Sequence, residues 1–120
     1  VAATPHSGAA VGTDTAGQQL QTLLQQEGIA HHNLVEETER VTTKKTRILA
    51  RQQQLLRYDI EQTQPILQTT EKAVLERVEA ILNLYPVRVL VLQDYNKGLL
   101  FNLLRSMASL LWRIPKKPIL

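Results

Sequence analysis

The stretch Val87-Arg88-Val89-Leu90-Val91-Leu92 decides the fold of this chain, because it is apolar at every position except Arg88. A nearly continuous apolar run of this length is typical of a strand that is buried on both faces of a parallel sheet. A polar loop, Gln93-Asp94-Tyr95-Asn96-Lys97-Gly98, follows it directly. Ligands of open parallel sheets bind beyond the carboxyl ends of the strands. We therefore expect this loop to border a ligand site.

Helical patterns lie on both sides of the predicted strand. Apolar side chains recur at helical spacing in residues 70–84 and again in residues 100–114, and Pro86 and Pro115 end the two patterns. The next strand is predicted to begin at about Pro118. An order of helix, strand, helix and strand is typical of right-handed crossover units on a parallel sheet. The sequence therefore predicts an α/β fold.

The first third of the chain has shorter elements. Gly8–Val11 is small and apolar and could be a buried strand, and Asn33–Glu36 is a second possible strand. A helix is predicted between them at 15–27, where Thr13 or Asp14 can cap its first turn by accepting a bond from a free backbone N–H.

The middle of the chain, residues 41–60, breaks the alternation of helices and buried strands. Val41–Arg51 and Gln54–Ile60 each alternate between two faces, which predicts an antiparallel hairpin that turns around Arg51 to Gln53. Such an excursion from the sheet is expected to be a lid or a dimer contact. A single long helix is the competing interpretation, because Gln, Leu and Arg are good helix formers. In that case the chain would be a non-enzymatic helical interaction module.

Composition excludes several classes of function. The chain is 43% hydrophobic and 21% charged, which is ordinary for a globular protein, and it contains no cysteine, so a disulfide framework and a Cys-ligated zinc site are excluded. Its basic residues are dispersed and only 4% of its residues are aromatic, so we expect no nucleic-acid partner. No apolar run approaches the roughly 20 residues that cross a bilayer, so we expect no membrane partner. The formal charge of +3 is compatible with an anionic small ligand.

The polar loop carries the strongest candidate site residues. It offers the Asp94 carboxylate, the Asn96 amide and the Lys97 ammonium just before a glycine and a predicted helix start, which is a good seat for a phosphate or a sugar hydroxyl. The alternative is a solvated loop in which Asp94 caps the helix.

A second candidate is the basic face of the predicted hairpin. Lys45, Arg47, Arg51 and Arg57 could hold an anionic substrate, since arginine can bind a phosphate with two parallel hydrogen bonds. The alternative is a solvent-facing strand that its charges keep soluble.

Four segments together resemble the ribokinase-like carbohydrate kinases. The strand and loop from Val89 to Leu100 resemble that family's D-Y-x-K-G-x-L segment, and Gly12–Gly17 resembles its G-x-D-x-x-G turn. Thr42–Arg47 and Gln53–Asp59 are similar to the T-T-x-K-T-R and Q-Q-x-x-R-x-D segments of the heptose-phosphate kinase branch, which includes the kinase half of bifunctional ADP-heptose synthases. The order and spacing of the segments agree over nearly the whole chain.

The resemblance implies a ribokinase-like parallel sheet with flanking helices, in which residues 1–120 are a single partial domain and residues 41–60 are a β-hairpin lid. It implies transfer of a phosphoryl group from ATP, assisted by Mg²⁺, to the anomeric hydroxyl of D-glycero-D-manno-heptose 7-phosphate. That reaction supplies activated heptose for lipopolysaccharide. It also implies a cytoplasmic enzyme that forms a homodimer through the lid hairpin.

The resemblance further implies that the substrate-binding residues come from the loop and the lid. Asp94, Asn96 and Lys97 would lie on the substrate side of the loop, and Arg47, Gln53 and Arg57 would be lid residues near the sugar phosphate. The family's catalytic G-A-G-D segment has no match here, and both ends of the chain look cut. We therefore expect no catalytic, nucleotide or metal ligand in this chain, and we expect the isolated chain to be inactive.

Overall fold

The computed structural model describes residues 4–112, and this part of the chain is an α/β structure. Seven elements follow one another along it: β1 (Ala9–Gly12), α1 (Thr15–Gln26), β2 (Leu34–Glu37), β3 (Lys44–Ala50), β4 (Gln53–Ile60), α2 (Gln68–Leu84) and α3 (Leu100–Leu111). The α/β class predicted from the sequence is confirmed.

The first three elements form a strand–helix–strand unit. β1 and β2 pair in parallel, in a register that joins Ala9 to Leu34 and Gly12 to Glu37. Helix α1 connects them, which is the connection that two parallel neighbouring strands require. The helix begins after Asp14, whose carboxylate accepts a hydrogen bond from the Gly17 N–H at 2.9 Å. The predicted strands and helix at this end of the chain are confirmed.

Strands β3 and β4 form the antiparallel hairpin expected for residues 41–60, so the interpretation of this region as one long helix is wrong. The two strands pair from Lys44 with Ile60 to Ala50 with Gln53, with a register shift after Ile48. Arg51 adopts a φ of 55° in the turn, which lets the chain reverse without a glycine. Most hairpin side chains are exposed. They include six large apolar ones: Ile48, Leu49, Leu55, Leu56, Tyr58 and Ile60.

The prediction of a buried strand at 87–92 is wrong. No strand is assigned there, and the described residues form two separate two-stranded sheets, neither of which contains this segment. Val89 and Val91 are 75% and 77% exposed, whereas Leu90 and Leu92 pack against the core. Only one side of the segment is therefore covered. Within residues 4–112 it has no neighbouring strand to complete a ladder. The predicted strand at Pro118 and the helix end at Pro115 lie outside the described residues.

The hydrophobic core lies between the helices and β2. Helices α2 and α3 contact each other, and α2 also contacts β2. Two core side chains, Val74 on α2 and Met107 on α3, are each 1% exposed. They form one cluster with Val35, Leu100 and Leu103, which anchors the start of α3 and therefore the loop that precedes it.

Candidate functional site

A cleft of about 170 Å³ lies between the polar loop and three other parts of the chain. Its walls come from the loop region 93–99, from residues 40–43, which connect β2 to β3, and from Ala10 on β1 and Ile66 before α2. Asp94 and Lys97, two of the predicted site residues, line it together. The loop therefore borders a cleft, although no strand precedes it, and the ligand site expected there stays a prediction.

The loop holds its shape through a turn and a close backbone contact. The Asn96 N–H donates a hydrogen bond to Asp94 Oδ1 at 2.7 Å, and Asn96 adopts a φ of 57°. Gly98 adopts a φ of 81°, and a Cβ there would collide with the Gln64 carbonyl. The Gly98 carbonyl accepts a bond from the Ile66 N–H at 3.1 Å. Helix α3 has no side-chain cap, so the alternative role of Asp94 as a helix cap is wrong.

The ammonium of Lys97 is paired with a carboxylate at the base of the hairpin. Its Nζ lies 2.6 Å from Glu61 Oε2, and the two side chains are 28% and 31% exposed. Glu61 follows directly after the last residue of β4. The pair therefore links the cleft loop to the hairpin.

A buried ion pair behind the cleft, between Arg40 and Glu37, was missed by the sequence interpretation. The Arg40 guanidinium donates to Glu37 Oε1 at 3.2 Å, to the Gln64 carbonyl and to the Lys97 carbonyl. Both side chains of the pair are only 6% exposed. The guanidinium thus joins the end of β2, the segment before α2 and the cleft loop. In the sequence the pair is only two opposite charges three residues apart in a polar stretch, which carries no signal for burial.

Glu37 stays ionised because several donors surround its carboxylate. Burial alone would raise the pKa of Glu37, but hydrogen bonds from the Thr70 hydroxyl, the Leu67 N–H and the Arg40 guanidinium outweigh it and hold the pKa below the ordinary value. The Leu67 N–H donates to Oε2 at 2.9 Å. The carboxylate is therefore a fixed negative charge that keeps Arg40 in place.

The predicted G-x-D-x-x-G turn, Gly12–Gly17, does not line the cleft but holds one of its lining residues, Thr42. Asp14 Oδ2 accepts from the Thr42 N–H at 2.9 Å, and the Gly12 N–H donates to the Thr42 hydroxyl at 2.8 Å. The bond with the Thr42 side chain is the main reason why the pKa of Asp14 lies below its ordinary value. A Cβ at Gly12 would collide with the Arg40 carbonyl. These contacts hold Thr42, a cleft residue, against the end of β1.

The other predicted site residues do not line the cleft. Arg47, Gln53 and Arg57 are exposed on the hairpin and are absent from the cleft walls. Arg47 and Arg57 are register partners, and Arg57 Nε lies 3.4 Å from Asp59 Oδ1. Asn96 is also exposed and serves in the turn. The structure thus brings together Asp94 and Lys97, but not the remaining four predicted residues.

Residues 4–112 contain no metal-binding cluster and no membrane-crossing helix. No group of three or more His, Cys, Asp or Glu side chains in this part of the chain is arranged to hold a metal ion. None of its helices combines the length and the apolar character needed to cross a membrane.

Comparison with known proteins identifies the relatives of the chain. It is 37% identical over 90 residues to the bifunctional protein HldE of Aliarcobacter butzleri, and 40% identical over 100 residues to HldE of Paramagnetospirillum magneticum. It is also 40% identical over 92 residues to the D-beta-D-heptose 7-phosphate kinase of Bordetella bronchiseptica. The chain matches a segment of the heptose kinases. The resemblance to the heptose-phosphate kinase branch is thereby confirmed.

The match covers most of the chain but little of its heptose-kinase relatives. The alignment with HldE of Aliarcobacter butzleri includes 75% of this chain and 18% of the relative, and that with HldE of Paramagnetospirillum magneticum includes 83% and 20%. The alignment with the kinase of Bordetella bronchiseptica includes 75% of this chain and 27% of the relative. The chain therefore spans about a fifth to a quarter of their length. No protein-family model matches it.

Proposed function

We propose that this chain is the sugar-phosphate-binding segment of a heptose 7-phosphate kinase. The complete enzyme would transfer a phosphoryl group from ATP to the anomeric hydroxyl of D-glycero-D-manno-heptose 7-phosphate, for lipopolysaccharide precursors. The observation that carries the proposal is the presence of Asp94 and Lys97 together on one cleft, in a chain up to 40% identical to heptose kinases. A ribokinase-like arrangement, in which residues 1–120 are one partial domain, is part of the same proposal.

The two loop residues have different roles in this proposal. The Lys97 ammonium binds the sugar phosphate, since a lysine presents a compact positive charge to a phosphate. The Asp94 carboxylate can only accept hydrogen bonds when ionised, so it suits sugar hydroxyls and repels phosphate. ATP and Mg²⁺ would supply the transferred group and neutralise its charge in the complete enzyme, and we assign no contact with either of them to this chain.

The isolated chain is therefore proposed to bind sugar phosphate but to be inactive as a kinase. Calorimetric titration with heptose 7-phosphate should give saturable binding that is lost in Lys97→Met. Lys72→Met, which removes an exposed lysine on α2, should leave binding unchanged. A coupled kinase assay should show no turnover. Equal binding by the Lys97→Met variant would refute the proposed role of Lys97, and turnover by the chain alone would refute the proposed inactivity.

We propose that the hairpin acts as a lid that covers the cleft. Its residues Arg47, Gln53 and Arg57, together with the Asn96 amide of the loop, then contact the substrate. We also propose that the hairpin joins two copies of the chain. Its exposed apolar side chains support the second role, because a two-stranded ribbon is only marginally stable alone. Sedimentation should show a dimer for the parent and a monomer for Leu49→Lys. A monomeric parent would contradict the dimer. A cytoplasmic location and the lack of a nucleic-acid partner stay predictions.

A further inference from the structure

Of the two cations in the cleft, the Lys97 ammonium is the one that is exposed enough to bind an incoming ligand. Two cationic side chains, Arg40 and Lys97, line the cleft within the described residues. The Arg40 guanidinium is buried and donates to Glu37 and to two backbone carbonyls. The Lys97 side chain is 28% exposed, and its Nζ lies 2.6 Å from Glu61 Oε2. An anion that enters the cleft therefore meets a lysine that already has a carboxylate partner.

We propose that Glu61 is an affinity-determining residue that competes with the phosphate of the ligand for Lys97. The inference rests on the proposed function, and it assigns a role to a residue outside the cleft walls. A carboxylate carries one negative charge, whereas a phosphate monoester carries about −1.5 to −2 at neutral pH and three acceptor oxygens. The phosphate is therefore the stronger partner. Glu61 is displaced from Lys97 when the ligand binds, and the loss of that pair lowers the net affinity.

The exposure of the pair sets the size of the effect. An ion pair whose members are 28% and 31% exposed is screened by water, so it is weak enough for a ligand to break. Removal of the carboxylate should therefore tighten anion binding by about two- to five-fold. If Glu61 instead only positioned Lys97, its removal would weaken binding. The two roles thus predict changes of opposite sign.

The test is an NMR titration of the 120-residue chain with inorganic phosphate, which follows the backbone amides of residues 93–98. Glu61→Gln should bind phosphate about two- to five-fold more tightly than the parent. Glu76→Gln makes the same charge change at an exposed position on α2 and should leave the affinity unchanged. Lys97→Met should abolish phosphate binding both in the parent chain and in the Glu61→Gln variant. In Glu61→Asp the shorter side chain cannot hold the same contact, so phosphate affinity should rise by a smaller amount. This second variant keeps the competition testable if Glu61→Gln distorts the loop.

Several results would overturn the inference. They are weaker or unchanged phosphate binding in both Glu61 variants, an equal gain in Glu76→Gln, and the absence of phosphate binding in the parent and in Glu61→Gln alike. The proposed function fails separately. If Glu61→Gln tightens phosphate binding but heptose 7-phosphate binds no better than inorganic phosphate, the competition stands and the sugar-phosphate assignment does not.

Discussion

Replacing Arg40 with methionine is expected to destabilise the chain strongly, because it removes a buried guanidinium that joins three segments. The variant would leave the Glu37 carboxylate buried without its cation, and it would leave the Gln64 and Lys97 carbonyls without that donor. Breaking one side of a buried ion pair typically costs about 3–5 kcal/mol. Both side chains of this pair are 6% exposed, so solvent cannot replace the lost partner. We therefore expect the free energy of unfolding to fall by about 3–5 kcal/mol.

Urea denaturation followed by circular dichroism measures this change. Arg47→Met removes the same group from an exposed site on the hairpin and should change the free energy of unfolding by less than about 0.5 kcal/mol. Glu37→Gln is a milder variant, expected to cost about 1–3 kcal/mol, and it remains measurable if Arg40→Met does not fold. The double variant should cost less than the sum of the two, because the partners interact directly. A loss below about 0.5 kcal/mol in Arg40→Met would refute the proposed role of this pair.

Two further predictions concern the same support of the cleft. Gly98→Ala should destabilise the chain more than Gly28→Ala. Both glycines have positive φ, so each substitution costs about 1–2 kcal/mol of backbone strain, but only at Gly98 would the added Cβ also collide with the Gln64 carbonyl. Equal losses of stability in thermal unfolding would contradict this prediction. Stability should also fall in acid, because the folded-state pKa values of Glu37 and Asp14 lie below their ordinary values of 4.5 and 3.8. The stabilisation is complete above those ordinary values and is lost as pH falls through the lower folded values. Urea titrations across this range should show a smaller loss in Glu37→Gln, and a stability that rises as pH falls would contradict the prediction.

The sequence predicted the local elements well because their signals are local. The alternation in residues 41–60 is a property of neighbouring side chains, and the pairing of β3 with β4 confirms it. The cap formed by Asp14 is equally local. The loop residues Asp94 and Lys97 were predicted from the same kind of signal, since they follow an apolar run and precede a helix, and both line the cleft.

Prediction from the sequence failed where the structure depends on contacts with residues that are distant along the chain. The apolar run at 87–92 has the composition of a buried strand, but a strand also needs a neighbour, and the described residues provide none. The burial of Arg40 depends on contacts with residues that lie 24 and 57 positions away. The placement of Arg47 outside the cleft walls likewise depends on how the hairpin is oriented. The alternation of residues along the hairpin does not specify that orientation. These features require the tertiary arrangement.

Binding of a sugar phosphate in the cleft can be tested by an NMR titration of the 120-residue chain with D-glycero-D-manno-heptose 7-phosphate, in which every assigned backbone amide is followed. We expect saturable shifts confined to the cleft, in residues 93–99 and 40–43, and we expect Lys97→Met to remove them. Saturable shifts elsewhere on the chain, or none at all under conditions where the chain is folded, would contradict the assignment of this cleft to a sugar phosphate.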